Sequence, residues 1–471
     1  MDGGDRLKSL VKAYDIRGIV PDELDQDIAE ALGVGFVQLL KREGPTPRIV
    51  IAHDMRESGP GLAEAFARGA NREGVDVIHA GLGSTDLLYF ASGIMGLPGA
   101  MLTASHNPAQ YNGIKLCRAG AAPIGQESGL IEIRDAAARF LAALDQSGGL
   151  DQAGVRAEGA VEHRDLLADY AAHLRGLVDL SAIRPLRVVI DAGNGMAGHT
   201  VPAVLGDPAP PKLPLEVIPL YFELDGSFPN HEANPLDPKN LVDLQQAVRE
   251  HQADLGLAFD GDADRCFVVD ENGDPVSPSA ITALVASREL AKHPGDVVIH
   301  NVITSRAVPE IVVEQGGKPV RTRVGHSYIK AEMAATRAVF GGEHSAHYYF
   351  RDFWYADTGM LAAMHLLAAL GTQSGPVSQL AARFHRYPSS GEINSTVRDQ
   401  QAKLVEVERA YADRAGVAID RLDGLTVDFG DGSWFNVRPS NTEPLLRLNV
   451  EARDADRMVG LRDEVLALVR S

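Results

Sequence analysis

The chain has 471 residues, of which 45% are hydrophobic and 23% charged, so it can form about three or four domains with buried cores. Its formal net charge of −19 disfavours nucleic acid and anionic membranes as partners, and an anionic ligand must be met by locally clustered arginines and lysines. A reducing cytoplasm is expected, because the only cysteines are Cys117 and Cys266. No membrane span is expected, because no apolar run approaches about 20 residues. No secretory signal is expected, because the first residues lack a basic-then-apolar layout.

The first third of the chain alternates strand-like and helix-like segments. A buried strand is predicted over Arg48–His53, an alanine-rich helix over Gly59–Arg72 and a second strand over Val75–Ala80. A third short strand, Gly99–Thr103, would deliver Ser105 at its carboxyl end. Alternation of this kind is typical of an α/β domain.

The same alternation restarts twice. The second series has strands over Leu186–Asp191, Leu215–Tyr221 and Ala253–Phe259, and a helix over about Pro238–His251. The third series has helices over Ser277–Lys292 and Ser305–Gln315, and strands over Asp296–His300 and Pro319–Arg323. From about Tyr387 the order changes to strand, helix, two strands and a closing helix over Asp454–Arg470, which is typical of a smaller α+β domain.

These patterns predict an α/β protein in which three related α/β domains with mixed sheets precede a smaller C-terminal α+β domain. The predicted domains are residues 1–155, 156–274, 275–386 and 387–471. The repeat rests on the pattern of elements alone, because the sequences of the three series do not visibly match.

Three carboxylates alternate along the loop that follows the strand ending at Phe259. Asp260, Asp262 and Asp264 would offer oxygen ligands on one side of a tight turn, which suits a hard cation such as Mg²⁺. A calcium loop of the helix–loop–helix type is rejected, because Arg265 stands where that loop needs glycine and strands are predicted on both sides. A solvated acidic turn is the other alternative, and the apolar residues on either side of the loop disfavour it.

Ser105 follows a buried strand, in the segment Leu102-Thr-Ala-Ser-His-Asn-Pro108, at the usual position of active residues in open α/β sheets. A plain turn or a helix N-cap is the alternative, because serine, asparagine and proline all favour turns. His106 could equally be a core histidine or a catalytic one. Lys115 is close enough along the chain to fold back towards Ser105.

The segment Arg438-Pro-Ser-Asn-Thr-Glu-Pro444 is predicted to form a rigid loop between two strands. An arginine fork, the side chains of Ser440, Asn441 and Thr442 and the loop N–H groups would grip a phosphate, and an ordinary polar hairpin turn is the alternative. A serine that can carry phosphate, a carboxylate cluster for a divalent cation and a phosphate clamp together predict phosphoryl transfer.

In Gly342-Glu-His-Ser-Ala-His347, the residues Glu343, Ser345 and His347 stand at alternate positions. Side chains at such positions of an extended segment point the same way, so this row is predicted to read sugar hydroxyls, with a half-exposed edge strand as the alternative. His326 lies in a glycine turn before a predicted helix, where it could be a general acid or base or simply a helix cap.

Taken together and in this order, the motifs resemble those of the α-D-phosphohexomutase superfamily, in particular its bacterial phosphomannomutase/phosphoglucomutase branch. The resemblance spans essentially the whole chain and is carried by Ala13–Gly18, Thr103–Pro108, Asp260–Arg265, Gly342–His347 and Arg438–Thr442. It implies four domains around one central cleft, each contributing one of these loops.

The resemblance implies a role for each candidate residue. Ser105 would be the phosphoserine, and Asp260, Asp262 and Asp264 would hold one Mg²⁺ with a phosphoserine oxygen as a further ligand. The groups implied around the transferred phosphoryl are Lys115, Arg265, Tyr14 and Arg17. Glu343 and Ser345 would bind the C3 and C4 hydroxyls of the substrate. His326 and His347 would act in substrate binding or proton handling. The phosphate that does not react would be bound by Arg438, Ser440, Asn441 and Thr442.

Two positions depart from the pattern of the family. Many relatives have glycine where Ala346 stands, and relatives of this type often carry a substrate-binding lysine about where Ile303 falls. Arg306 or another cation could compensate for that lysine, and no role is assigned to Ile303.

The implied activity is reversible phosphoryl transfer between C6 and C1 of mannose phosphate, and of glucose phosphate, through phosphoserine 105. A hexose 1,6-bisphosphate would be both intermediate and activator, and the product would feed sugar-nucleotide and cell-envelope polysaccharide synthesis. A reader confined to C3 and C4 ignores C2, where glucose and mannose differ, so dual specificity is expected.

A glucosamine- or N-acetylglucosamine-phosphate mutase of the same superfamily is the main alternative. A Mg²⁺-dependent sugar phosphatase needs no second phosphate clamp, and a binding protein needs no nucleophile, so both are disfavoured. The sequence leaves open the preferred sugar, the phosphorylation state of Ser105, the extent of domain closure and the oligomeric state, for which a monomer or weak homodimer is expected.

Overall fold

The computed structural model describes residues 3–147, 159–206, 212–440 and 445–471. It contains two compact units: a first unit of residues 1–276 and 347–378, and a second unit of residues 277–346 and 379–471. The predicted boundary between residues 155 and 156 lies outside the described residues. Within the described part, every helix is too short or too polar to cross a membrane.

The first sheet of the first unit is built around buried parallel strands. The part of the chain that forms this sheet and its helices contains α1 (Gly3–Leu10), β1 (Ile16–Ile19), α2 (Gln26–Glu43), β2 (Arg48–His53), α3 (Gly59–Arg72), β3 (Asp76–Leu82), α4 (Thr85–Met95), β4 (Gly99–Leu102), β5 (Tyr111–Arg118), β6 (Ala122–Pro123), α5 (Leu130–Ser147) and β7 (Val161–His163). The order is β1-β5-β4-β2-β3-β7 with β6 on β5, where β2, β3, β4 and β7 are parallel and the remaining pairs antiparallel. The predicted bounds of β2 and α3 are confirmed.

The second sheet, also in the first unit, carries the hairpin that matters for the site. Its elements are α6 (Leu167–Leu177), β8 (Leu186–Asp191), α7 (Ala197–Leu205), β9 (Leu215–Leu220), α8 (Val242–Glu250), β10 (Leu255–Phe259), β11 (Cys266–Val269) and β12 (Pro275–Val276). The order is β12-β11-β10-β8-β9, with β8, β9 and β10 parallel and both pairs of β11 antiparallel. The helix predicted from Pro238 begins as a 3₁₀ turn over Pro238–Leu241, capped by Asp237, and becomes α-helical only at α8.

The third series is divided between the units. The second unit contains α9 (Pro278–Lys292), β13 (Val297–Asn301), α10 (Ala307–Glu314), β14 (Lys318–Thr322), α11 (His326–Thr336) and β15 (Phe340–Gly342), with β14 and β15 parallel to β13. The first unit contains β16 (Tyr348–Phe350), the antiparallel β17 (Ala356–Asp357) and α12 (Gly359–Gly371), and the short helix α13 (Val377–Ala382) follows. A Cβ on Gly359 would lie 2.6 Å from the backbone of Arg265, so only glycine lets α12 begin this close to the second sheet.

The C-terminal domain is one antiparallel sheet with two helices. Its elements are β18 (Ser389–Thr396), α14 (Gln400–Tyr411), β19 (Ala418–Asp420), β20 (Leu425–Asp428), β21 (Trp434–Pro439), β22 (Leu445–Glu451) and α15 (Ala455–Arg470). The order is β18-β22-β21-β20-β19. Four strands lie between the helices where two were predicted, because β19 and β20, of three and four residues, are too short to show a clear strand pattern in the sequence. The predicted fold class, three α/β domains with mixed sheets and a smaller α+β domain, is confirmed.

Three histidines on neighbouring strands of the first sheet lie in ring contact, with His79 between the other two. The ring of His79 lies 5.8 Å from that of His53 and 5.2 Å from that of His163. Burial, followed by the two neighbouring histidines, lowers the pKa of His79 to about 4. Because an unfolded histidine titrates near its ordinary value, the folded state binds fewer protons between these pKa values, and its stability falls as the pH drops through this window.

We therefore expect His79→Gln to reduce the loss of stability between about pH 8 and about pH 5. Thermal unfolding of both proteins across this range measures the effect. His251→Gln, at an exposed position, is the control. An equal fall in Tm for wild type and His79→Gln would show that His79 does not govern this dependence.

Candidate active site

Ser105 lies three residues beyond β4, buried and in a left-handed backbone conformation with φ 51°. Its Oγ donates a hydrogen bond of 2.9 Å to Oδ2 of Asp260. The Oγ is also 3.4 Å from Nη2 of Arg265 and 3.3 Å from Nδ1 of His106. The serine loop of the first sheet and the aspartate loop of the second sheet thus meet at the serine oxygen.

The three aspartates occupy the tip of the β10–β11 hairpin, and the predicted strand–loop–strand is confirmed. Asp260, Asp262 and Asp264 are at most 1% exposed, and one ligand oxygen of each lies within 4.8 Å of the others. Oδ1 of Asp262 and Oδ1 of Asp264 are buried and accept no hydrogen bond. Buried carboxylate oxygens that converge without donors fit a hard divalent cation such as Mg²⁺, which these three residues would hold.

Lys115 and Arg265 supply the positive charge beside these carboxylates. Nζ of Lys115 donates to Oδ2 of Asp262 at 2.7 Å and to Oδ2 of Asp264 at 2.6 Å, and Nε of Arg265 lies 3.2 Å from Oδ2 of Asp260. Burial lowers the pKa of Lys115, but Asp262 and Asp264 outweigh it and keep the ammonium charged. Burial and the neighbouring Asp264 raise the pKa of Asp260 well above its ordinary value. The cluster is therefore crowded with anionic groups, which favours a bound cation.

Arg17, on β1, reaches the same loop. Its Nη1 donates to the carbonyl of Ala104 at 3.2 Å and to the side chain of Asn107, and its Nε donates to Asp15 at 2.8 Å. Tyr14 lies half-buried in the segment that precedes β1. Arg17 thus lies beside the serine loop, and its role in catalysis stays a prediction.

His106, left ambiguous by the sequence, belongs to the cluster. Its Nδ1 accepts a hydrogen bond from Nη2 of Arg265. Burial, then the nearby Arg265 and Arg17, lower the pKa of His106 well below its ordinary value. A neutral His106 therefore helps to orient the guanidinium of Arg265 towards Ser105.

The first turn of α4 supports the aspartate loop (Asp260–Asp264), and the sequence did not indicate this contact. Thr85 donates from Oγ1 to Oδ2 of Asp262 at 2.6 Å and from its N–H to the carbonyl of Asp262 at 3.0 Å. Asp86, beside it, accepts hydrogen bonds of 2.7 Å from Tyr170 and Thr358. Burial raises the pKa of Asp86 to about 6, although these hydrogen bonds oppose the shift. The one sequence signal for this helix start is Ser84, a favourable N-cap residue two positions after β3.

The predicted sugar loop does not have the expected geometry. The N–H of Ala346 donates to the carbonyl of Glu343 at 3.1 Å, and Ala346 has φ 63°. The segment is therefore a turn, and the prediction that Glu343, Ser345 and His347 project from an extended strand is wrong. A positive φ is readily adopted by glycine, so the backbone at Ala346 has a conformation that glycine would adopt more easily than alanine.

Glu343 is held by groups that the sequence did not identify. Its Oε2 accepts from Nδ2 of Asn301 at 3.0 Å and from the N–H of Gly325 at 3.4 Å, and its side chain is buried. His326 follows Gly325 as the first residue of α11, and Ser345 is half-buried in the turn. The carboxylate of Glu343 is thus fixed by the end of β13 and the start of α11.

His347 lies in the first unit, where it forms a backbone bridge with Arg265. Its Nε2 is 3.6 Å from Oδ1 of Asp264. The structure therefore brings His347 next to the aspartate loop.

The position expected for a lysine is apolar in this chain. Ile303 is 6% exposed, and Arg306, three residues on, donates from Nη2 to Asp428 at 2.6 Å and from its N–H to Glu451 at 2.9 Å. Arg306 is thus engaged with the C-terminal domain, and compensation for the lysine by Arg306 stays a prediction.

The residues predicted to form a phosphate clamp do not all lie in a loop. Arg438 lies within β21, directly opposite Arg447 of β22, rather than in a loop. Glu392 of β18 bridges the pair, accepting from Arg438 at 2.8 Å and from Arg447 at 3.1 Å. Like charges opposite each other on neighbouring strands repel, so this carboxylate is what allows the two guanidinium groups to lie together. Ser440 is buried just beyond β21.

The remaining predicted clamp residues, Asn441 and Thr442, lie outside the described residues. Arg447 and Glu392 were not identified from the sequence. Only the alternation of side chains along neighbouring strands could have indicated them.

Sequence profiles of four domain families match the chain in order. They are described as phosphoglucomutase/phosphomannomutase alpha/beta/alpha domain I (residues 8–139), domain II (168–273) and domain III (277–387), and the C-terminal domain (392–468). The fold and these four matches define a four-domain enzyme of the phosphohexose mutase class, an isomerase of carbohydrate metabolism.

Whole-chain relatives narrow the class to one family. A protein of Xanthomonas campestris pv. campestris named phosphohexose mutases is 43% identical over 465 residues, covering 98% of each chain. A phosphomannomutase of Vibrio cholerae serotype O1 is 40% identical over 448 residues, covering 94% of each. The solved structure of a phosphoglucomutase/phosphomannomutase family protein from Burkholderia thailandensis has a TM-score of 0.84 at 31% identity, covering 98% of this chain and 97% of that one. The chain belongs to the phosphoglucomutase/phosphomannomutase family.

Proposed function

We propose that this enzyme moves a phosphoryl group between C6 and C1 of mannose phosphate and glucose phosphate through phosphoserine 105 and a hexose 1,6-bisphosphate. The observation that carries the proposal is the hydrogen bond of 2.9 Å between Ser105 and Asp260, inside a buried cluster of three aspartates, a lysine and an arginine. A buried serine needs such surroundings to accept and release a phosphoryl group.

The first half of the reaction takes place at Ser105. The substrate hydroxyl attacks the phosphorus of phosphoserine 105, and the bond from phosphorus to the serine oxygen breaks. In our assignment His326 takes the hydroxyl proton, and the released serine oxygen regains a proton from water. Arg265, 3.4 Å from the serine oxygen, and Arg17 are placed to stabilise negative charge on the transferred group. A Mg²⁺ held by Asp260, Asp262 and Asp264 would, when bound, neutralise further charge on that group. Lys115 supplies a further positive charge beside these aspartates.

The second half requires the bisphosphate to turn end over end and return its other phosphate to Ser105. Arg438 and Ser440, with Asn441 and Thr442, would grip whichever phosphate is not reacting. Glu343 and Ser345 would bind the C3 and C4 hydroxyls in both orientations. Such binding ignores C2, which supports activity on both glucose and mannose phosphates.

The preferred sugar is decided by one assay panel. Steady-state turnover of mannose, glucose, glucosamine and N-acetylglucosamine 1-phosphates should show mannose and glucose as substrates of comparable kcat/KM. A clear preference for glucosamine or N-acetylglucosamine would instead support the alternative mutase activity. Release of inorganic phosphate in place of the isomeric phosphate would support a phosphatase.

We propose a cytoplasmic location for the enzyme. Cys117 and Cys266 are buried free thiols, which supports a reducing cytoplasm. We propose one Mg²⁺ per chain, activation by hexose 1,6-bisphosphate and action as a monomer or weak homodimer. Sedimentation and metal titration test these points.

Arg438→Ala is expected to raise KM for the monophosphate and to increase leakage of free bisphosphate. One lost charge-assisted contact is worth about 1.5–3 kcal/mol, or roughly ten- to a hundredfold in affinity. Leakage rises because the intermediate loses its anchor while it reorients. Steady-state kinetics and chromatography of released bisphosphate measure both effects.

The control for this variant is Arg421→Ala, which removes an exposed arginine of the same domain from its ion pair with Glu408. Unchanged KM and leakage in Arg438→Ala would mean that β21 does not carry the phosphate clamp.

A further inference from the structure

Arg56 is a buried arginine beneath the serine loop, 2% exposed, in the segment that follows β2. Its guanidinium donates four hydrogen bonds to backbone carbonyls of this loop. Nη2 binds the carbonyls of Ser105 at 2.9 Å and Asn107 at 2.6 Å, and Nη1 binds those of Pro108 at 2.9 Å and Tyr111 at 2.7 Å. One side chain therefore organises the backbone from the serine to the start of β5.

The charge of Arg56 is balanced by Asp54. Nε of Arg56 lies 3.3 Å from Oδ2 of Asp54, and Oδ1 of Asp54 accepts from the N–H of Arg56 at 3.0 Å. Burial lowers the pKa of Arg56 and raises that of Asp54, and each group partly offsets the shift of the other. Lysine has three donors at a single point and cannot reproduce a planar fork that reaches four carbonyls.

The serine needs this support because its backbone is strained. A left-handed conformation is unfavourable for a residue with a Cβ, because the Cβ comes too close to a backbone carbonyl oxygen. Oγ1 of Thr103 accepts from the N–H of Ser105 at 2.9 Å, and Arg56 holds the carbonyl on the other side. A Cβ on Gly261 would lie 2.4 Å from that carbonyl, so the aspartate loop closes against the same point. These contacts fix the direction in which the serine oxygen leaves the backbone.

Arg56 also contacts the second sheet's domain, which carries the aspartates. Its Cζ lies 5.2 Å from the centre of the Phe228 ring, in cation–π geometry. A Cβ on Gly226 would lie 2.8 Å from Cα of Arg56, so the backbone segments that carry these two residues are in close contact. Arg56 is therefore anchored by both domains whose loops meet at Ser105.

We propose that Arg56 is a positioning residue that keeps the serine oxygen in line with the phosphorylated substrate, through the carbonyl of Ser105. The inference rests on the proposed function, in which Ser105 loses and regains a phosphoryl group in each cycle. The loop must present the oxygen identically in its free and phosphorylated forms. Arg56 keeps the loop in the same position in both forms, because its hydrogen bonds are to backbone carbonyls and do not involve the reacting oxygen.

The test is the rate at which glucose 1,6-bisphosphate phosphorylates Ser105 in a single turnover, followed by intact mass. Arg56→Lys should slow this step by about a hundredfold, the effect of a misplacement near 1 Å. KM for the hexose monophosphate should stay within about threefold, because binding of the non-reacting phosphate does not involve this loop. A merely structural role would lower Tm and leave the rate of the folded fraction unchanged.

Arg184→Lys is the matched control. Arg184, in the first unit, also binds backbone carbonyls, of Gln373 at 3.2 Å and of Pro185 at 3.1 Å, and pairs with Asp254 at 2.8 Å. It should change Tm without changing the phosphorylation rate. If Arg56→Lys does not fold, Phe228→Leu tests the same point, since it removes the ring over the guanidinium and should slow phosphorylation by about three- to tenfold.

The outcomes separate this inference from the proposed function. A wild-type enzyme whose Ser105 takes no phosphate from the bisphosphate overturns the proposed function. A phosphorylated wild type together with an Arg56→Lys variant of unchanged rate overturns only the role of Arg56.

Discussion

Ser105→Ala is expected to lose the covalent phosphate and to lower kcat by about 10⁴-fold or more, the usual effect of removing a nucleophile. The reason is geometric: Oγ of Ser105 is the atom held at 2.9 Å from Asp260 and 3.4 Å from Arg265. Intact-mass measurement should find part of the wild type heavier by one phosphate, and none of the variant. Incubation with glucose 1,6-bisphosphate should raise the modified fraction of the wild type alone.

Ser9→Ala, at an exposed position on α1, controls for loss of a hydroxyl elsewhere. Wild-type enzyme that carries no phosphate, yet turns over normally without added bisphosphate, would falsify the covalent mechanism.

Asp262→Ala should reduce turnover far more than affinity for the sugar phosphate. Asp262 is buried, its Oδ1 accepts no hydrogen bond, and its Oδ2 receives both Thr85 and Lys115. Loss of a bound cation removes several kcal/mol of charge stabilisation in the transition state, so kcat should fall by about a thousandfold. KM should change little, because in the proposed mechanism Arg438 holds the other phosphate. Binding of Mg²⁺, followed by calorimetry, should be lost together with kcat.

The control is Asp270→Asn at the other end of β11, where the carboxylate accepts from the N–H groups of Asn272 and Asp274 at 2.9 Å. It perturbs the same hairpin without touching the cluster. Chelator should stop the wild type, and full activity in excess chelator would contradict the assignment of the three aspartates to a metal.

Local patterns predicted the elements whose sequence signals are strong. The segment Gly59–Arg72 has helical periodicity and forms α3. The aspartates after Phe259 lie between two apolar runs and form the tip of a hairpin. The positions of Ser105 and of the Asp260 loop follow from the rule that active residues lie at the carboxyl ends of parallel strands.

Contacts between distant residues could not be predicted in the same way. Arg56 binds carbonyls that begin 49 residues further along the chain, and a lone arginine in a loop carries no sign of this. The turn at Ala346 was missed because alanine rarely adopts a positive φ, so the residue argues against the conformation that it takes. The bridge from Glu392 to Arg438 depends on sheet register, which hydrophobic alternation alone does not specify for β18.

The return of residues 347–378 to the first unit has a consequence for biosynthesis. His347 bridges Arg265, Thr358 binds Asp86 and Gly359 packs on the backbone of Arg265. The surroundings of the aspartate loop are therefore completed by a segment that comes after residues 277–346 of the second unit. A nascent chain that has just left the ribosome through β12 therefore lacks the strands and helix that cover this loop. The first unit can be completed only after residues 277–378 have been translated, and until then the apolar surface that α12 covers is exposed to aggregation.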